Sequence, residues 1–82
     1  MSPIENLLSV VDAYAAATGL AEATISTRFL AGGRVILDLR NGRDMGVRRI
    51  ERAVESFARE WPADAEWPAD VPRPAPTPAA AE

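Results

Sequence analysis

Arginine carries what chemistry this sequence offers. All nine basic residues of the 82-residue chain are arginine. A guanidinium group presents paired N–H donors that match phosphate and carboxylate oxygens. The arginines are unevenly placed. Seven lie between Arg28 and Arg52, against Asp38, Asp44 and Glu51. From Trp61 onward Arg73 stands alone against Asp64, Glu66, Asp70 and Glu82. A formal net charge of -3 speaks mildly against a nucleic-acid partner. A local basic face, however, governs phosphate contact more than the total does. Arginines also serve simply to solvate helix surfaces, which requires no ligand.

Other reactive chemistry is not visible. Cysteine is absent, so neither a disulfide nor a thiolate metal site can form. Histidine is absent, which removes the commonest metal ligand and the commonest general base. Asp38 and Asp44 lack the partner set that acid-base catalysis needs, and no phosphate loop, nucleophile motif or metal spacing occurs. The expectation is a protein that is not an enzyme and that holds neither cofactor nor metal. No secretory pattern is visible, and no apolar run approaches the roughly 20 residues of a membrane helix. The chain therefore reads as soluble and cytoplasmic, with no membrane partner. One small domain is marginally stable by itself. With disulfides and metals excluded, oligomerisation is the remaining aid, and a homodimer is expected.

The elements that must position the arginines read as helices. Ser2-Pro3-Ile4-Glu5 combines an N-cap serine, a proline in the first turn and the glutamate of a capping box. Ile4, Leu7, Leu8, Val11, Tyr14 and Ala15 then recur at helical spacing, and Gly19 offers a left-handed stop. This predicts a helix over 3–18. A second, shorter helix is expected over 20–31, with Leu20, Ile25, Phe29 and Leu30 inward and Gly32-Gly33 ending it. Residues 34–40 are ambiguous. Arg-Val-Ile-Leu-Asp-Leu-Arg has strand propensity, and Asn41-Gly42 suits a hairpin. No second strand-like run is present and Val35 and Leu39 stand four apart, so a short third helix is favoured over a β-ribbon between two subunits. Asp44 is the expected N-cap of a last helix over 45–61, whose stripe is Val47, Ile50, Val54, Phe57 and Trp61.

The pentapeptide Glu60-Trp61-Pro62-Ala63-Asp64 recurs as Glu66-Trp67-Pro68-Ala69-Asp70. Trp61 is expected to finish the core and Trp67 to fold back on it. Residues 72–82 are rich in proline and alanine and are expected to be disordered. The organisation expected is a domain over 1–61, a Trp-Pro segment over 62–71 packing on it, and the tail.

Asp12 to Leu30 resembles the helix-turn-helix of bacterial and phage regulators of the lambda-repressor type. That pattern has a small residue in its first helix, a glycine four later, and a branched apolar residue six after that. Ala15, Gly19 and Ile25 occupy those places. A small residue lets the second helix cross close by, glycine takes positive φ at the turn, and the branched side chain plugs the gap. The resemblance covers about 20 residues and implies a second helix lying in the DNA major groove with its N-terminal residues at base edges. The residues so implied are Glu22, Ser26, Thr27 and Arg28. Arg34, Arg43 and Arg48, with Arg40 and Arg49, would clamp phosphates. Ala21 departs from the serine or threonine often found after the turn, which puts one capping contact in doubt.

The sequence thus reads as an all-α, four-helix helix-turn-helix domain with a disordered C-terminal tail. The function expected is a sequence-specific transcription regulator that binds double-stranded DNA as a homodimer; repressor and activator look alike at this level. The acidic tail with Trp67 is a candidate contact for RNA polymerase or another protein. The alternative is a protein-binding adaptor that uses the helical core and the Trp-Pro repeat. Arginines converging beside the second helix favour DNA; scattered arginines and an exposed apolar patch favour a protein partner.

Overall fold

The computed structural model describes residues 2–74, which form four helices and no strand. Helix α1 spans Pro3–Thr18, α2 spans Glu22–Leu30, α3 spans Val35–Arg40 and α4 spans Val47–Arg59. The helical reading of 34–40 holds, and the β-ribbon alternative does not. Among the described residues no helix is long and apolar enough to cross a membrane.

Local chemistry explains the first boundary well. Ser2 Oγ accepts from the Glu5 N–H at 3.1 Å, and the Ser2 N–H donates back to Glu5 at 3.2 Å. Both donors would otherwise be orphaned in the first turn. At the other end Gly19 sits at φ 75°, and its N–H closes on the Ala15 carbonyl at 2.8 Å.

Helix α1 packs chiefly on α4, and α2 chiefly on α3. Leu7, Val10, Val11 and Tyr14 of α1 meet Ile50, Val54 and Phe57 of α4, with Ile25, Leu30, Ile36 and Leu39 closing the core. All five aromatic residues form one chain of contacts. Tyr14 lies edge-on to Phe29 and Phe57, Phe29 stacks on Phe57 at 4.0 Å, Tyr14 tilts toward Trp61, and Trp61 meets Trp67 at 4.8 Å. Aromatic pairs prefer these edge and offset geometries because the ring face is negative and the edge positive.

The Trp-Pro repeat is a repeat of structure as well as of sequence. The Trp61 indole donates to the Ala65 carbonyl at 3.0 Å, and the Trp67 indole donates to the Val71 carbonyl at 2.7 Å. In each unit the residue three after the proline donates to the proline carbonyl, both at 3.2 Å. Trp67 does fold back on Trp61. Packing also runs further than the sequence suggests. Val71 is buried, Arg73 donates to the Ala58 carbonyl at 3.0 Å, and its guanidinium lies over the Trp67 ring. Residues 72–74, expected in the disordered tail, therefore belong to the packed part; the rest of that expectation, 75–82, lies outside the described residues.

Helices α2 and α4 are each shorter than expected at both ends, running 22–30 rather than 20–31 and 47–59 rather than 45–61. Helix α4 is capped by Gly46 rather than Asp44, and no side chain caps it. Asp44 instead accepts from its neighbour, the Met45 N–H. Helix α2 ends with the left-handed conformation on Ala31, at φ 59°, rather than on Gly32.

Candidate nucleic-acid interface

The turn that the resemblance requires is present. Gly19 is left-handed, Ile25 is fully buried, and Ala15 and Leu20 are half-buried against the core. A Cβ at Gly19 would meet no atom within 4 Å, so it is the backbone angle and not space that calls for glycine. Thr18 supports the turn by donating to the Tyr14 carbonyl and accepting from the Leu20 N–H.

The outward face of α2 is not the expected one. Ala23, Thr24, Thr27 and Arg28 are exposed, but Ser26 is fully buried. Ser26 stands four residues before Leu30 and one after Ile25, so it shares their inward stripe. Its hydroxyl donates to the Gly32 carbonyl and accepts from the Ile36 N–H at 3.2 Å. Ser26 is therefore withdrawn as a base-contacting residue. Thr24 occupies the outward place that Ser26 was expected to fill, and helical spacing from Thr27 is the signal that would have found it.

The other expected residues divide by their partners. Glu22 is half-buried and accepts from Arg40 at 2.9 Å. Arg40 also donates to Asp12 at 2.6 Å, so one guanidinium ties α3 to α1 and α2. These bonds, first to Glu22 and then to Asp12, raise the Arg40 pKa above its ordinary value. Glu22 and Arg40 thus serve each other before any ligand. Thr27 is exposed; its hydroxyl donates to the Ala23 carbonyl at 3.0 Å and leaves lone pairs outward. Arg28 is paired with Glu60 at 3.0 Å across the ends of α2 and α4. Arg43 is paired with Asp38 at 3.2 Å, and Arg49 donates to the Leu30 carbonyl. Arg34 and Arg48 are exposed and make no ion pair among the described residues.

One neighbour of the outward face of α2 is fixed by geometry. A Cβ on Gly33 would lie 3.3 Å from the Thr27 hydroxyl, which places the Gly33-Arg34 corner against the outward face of α2. One turn beyond Arg34, Leu37 is 42 % exposed, unusual for so large an apolar side chain. The outward face of α2 thus carries Thr24, Thr27 and Arg28, with the Gly33-Arg34 corner beside Thr27, and Leu37 is exposed on α3. Among the described residues no hydrogen bond or ion pair joins Arg43 or Arg48 to that face; Arg43 is held by Asp38 and Arg48 stands on α4.

A second concave feature lies elsewhere. A groove of about 430 Å³ runs between the start of α1, the flank of α4 and residues 71–74. Val47, Ile50, Val54, Val71 and Pro72 give it an apolar floor, and Glu51, Glu55 and Arg73 rim it. Val47 is 56 % exposed.

Comparison with known proteins finds no match to a protein family, to a curated protein or to a solved structure. The functional reading rests on the side chains themselves.

Proposed function

We propose that this chain is a DNA-binding regulator that contacts double-stranded DNA through the outward face of α2 and the adjoining Gly33-Arg34 corner. The observation that carries the reading is the Gly19 turn. It seats Ile25 in the core and turns Thr24, Thr27 and Arg28 to solvent beside Arg34, which has no ion-pair partner among the described residues. Threonine hydroxyls and guanidinium groups bond phosphate and base edges, and an exposed leucine suits the thymine methyl. Glu22 drops out as a direct base contact because Arg40 holds it. Two copies would read half-sites about one helical turn, roughly 34 Å, apart.

Fluorescence anisotropy on random and selected duplexes tests this across a salt series. Two or three phosphate contacts give a slope of log K against log salt near about -2 to -3. Arg34→Ala should lower affinity for every sequence and reduce that slope by about one. Glu60→Gln releases Arg28 and should strengthen binding by about twofold to fivefold. Micromolar protein that shifts no duplex at low salt would defeat the proposal.

One observation favours the other reading, a protein-binding adaptor. The groove beside Val47 has an apolar floor and shares no lining residue with the outward face of α2, as a separate docking surface would. Retention of duplex binding after alteration of the groove would separate the two.

A further inference from the structure

The two flanks of α4 differ in charge. On the flank toward α1 and residues 71–74, the groove described above is lined by Glu51 and Glu55. Its one basic lining residue, Arg73, turns its guanidinium to the Ala58 carbonyl and the Trp67 ring. On the flank toward α2 lies a smaller cleft of about 170 Å³, lined by the apolar Phe29, Leu30 and Ala53 and by Arg49, Arg52 and Ser56. Among the described residues no carboxylate lines it. Arg49, Arg52 and Ser56 follow one another at helical spacing, so α4 brings all three to one face. Arg49 donates one N–H to the Leu30 carbonyl at 3.2 Å, which holds its head beside the cleft. Arg52 forms no ion pair among the described residues. The Ser56 oxygen accepts from Arg59 at 3.3 Å, which leaves its proton to donate. Two acids stand nearby. Glu60 is paired with Arg28 at 3.0 Å. Glu55 is a helical neighbour of Arg52 and Arg59, but it forms an ion pair with neither and lines the groove on the other flank. Arg48 lines neither the groove nor the cleft.

From this gathering of donors we infer that the cleft between α2 and α4 is a binding site for a phosphate group. Guanidinium N–H pairs match phosphate oxygens, and the serine hydroxyl adds a further donor. One guanidinium already satisfies a carboxylate's two oxygens, whereas donors on three side chains suit the larger oxygen set of a phosphate. Size points the same way. Sites for drug-sized ligands span about 300 to 1,000 Å³, so this cleft admits a single group rather than a whole cofactor. Arg49 and Arg52 are like charges three apart on one helix, and an anion between them removes their repulsion. The bond from Arg49 to Leu30 fixes one guanidinium in advance, which lowers the ordering cost of binding. The cleft also adjoins the face proposed for DNA. Ala31, exposed and part of the cleft lining, comes one turn after Thr27 on α2. A duplex on that face and a small phosphorylated molecule offer the same chemistry here. The duplex source rests on the function proposed above; the site itself does not. Of the arginines expected on sequence to clamp phosphate, the cleft takes Arg49, and it adds Arg52 and Ser56.

Titration of the full-length chain with inorganic phosphate at constant ionic strength, followed by nuclear magnetic resonance, reads the site directly. Saturating shifts are expected at Arg49, Arg52, Ala53 and Ser56, with a Kd on the order of millimolar. Arg52→Gln should raise that Kd by about threefold to tenfold. Arg48→Gln removes the same charge from the same helix outside the cleft and should change it by less than about twofold. Circular dichroism should show both variants folded, since both side chains are exposed. Duplex anisotropy on the same variants separates the two sources. With a backbone phosphate in the cleft, Arg52→Gln lowers affinity for every sequence and flattens the salt slope by about one, while Arg48→Gln does neither. With a free phosphorylated molecule as the ligand, the inorganic phosphate shifts saturate and duplex affinity ignores Arg52→Gln. Either result supports the site. Two results overturn it. One is the lack of any saturating shift together with duplex affinity indifferent to Arg52→Gln. The other is equal weakening by Arg48→Gln and Arg52→Gln in whichever arm binds, which marks diffuse charge rather than a cleft. A chain that takes phosphate in the cleft and shifts no duplex defeats the DNA reading alone.

Discussion

The hydroxyl of Ser26 ties α2, the Gly32-Gly33 corner and α3 together at one buried point. Helix α3 has only six residues, and its N-cap, Arg34, offers no side-chain bond. Ser26 supplies that missing acceptor from another helix by receiving the Ile36 N–H. Ser26→Ala would leave the Ile36 N–H without its partner and the Gly32 carbonyl with only the Val35 N–H. Urea unfolding should show a loss of about 1 to 3 kcal/mol. The affinity of the folded variant for DNA should stay unchanged, because the hydroxyl never reaches the surface. Ala31 makes a contrasting case. It holds φ 59° without being glycine, and that conformation strains a residue with a Cβ. Ala31→Gly should raise stability by about 0.5 to 1 kcal/mol, and thermal unfolding would report it. At the neighbouring Gly32 the issue is room instead, since a Cβ there would lie 3.0 Å from a Val35 methyl and that side chain would have to shift by a few tenths of an ångström.

At the scale of elements, helix ends repay attention because each end must find partners for its free N–H groups. Helix α4 begins on Gly46, with φ -63° and ψ 145°, and a Cβ there would meet nothing within 4 Å. Any L residue fits that backbone. Gly46→Asp should add a cap and a negative charge before Arg48 and Arg49. Stability should rise by about 1 kcal/mol, visible as a higher urea midpoint at constant slope. The start of α1 was legible in sequence because Ser2, Pro3 and Glu5 are all local signals. The four-helix count and the inward places of Ile25 and Tyr14 were legible from apolar spacing. The start of α4 was not, because Asp44 lies two residues early and bonds its neighbour rather than the helix. The α2 face was legible only in part. Apolar spacing alone left Ser26 on the outside, since a polar residue can enter a core when both of its bonds are made there. The partners of Glu22 and Arg28 lie 18 and 32 residues away, and no local pattern specifies contacts at that range.

For the molecule as a whole, the Trp-Pro repeat extends a core that four short helices would leave open. Trp61 covers Tyr14, Trp67 covers Trp61, and Arg73 lies over Trp67. Each indole N–H is satisfied by a carbonyl of its own turn, so the rings cover apolar surface without an orphaned donor. The second unit closes only at Val71, whose side chain is buried and whose carbonyl receives the Trp67 indole. Two truncations isolate the contribution of this capping unit. A chain ending at Pro74 keeps every one of these contacts and should melt within about 2 °C of the full chain. A chain ending at Asp70 loses the Val71 burial, the Trp67 acceptor and the Arg73 bond. Its loss should be about 2 to 4 kcal/mol, a large part of what a domain of this size has to lose. At roughly 4 to 8 °C per kcal/mol, calorimetry should place its melting temperature at least about 8 °C lower. Equal melting temperatures for the two truncations would mean that the second Trp-Pro turn decorates the helices rather than completing them.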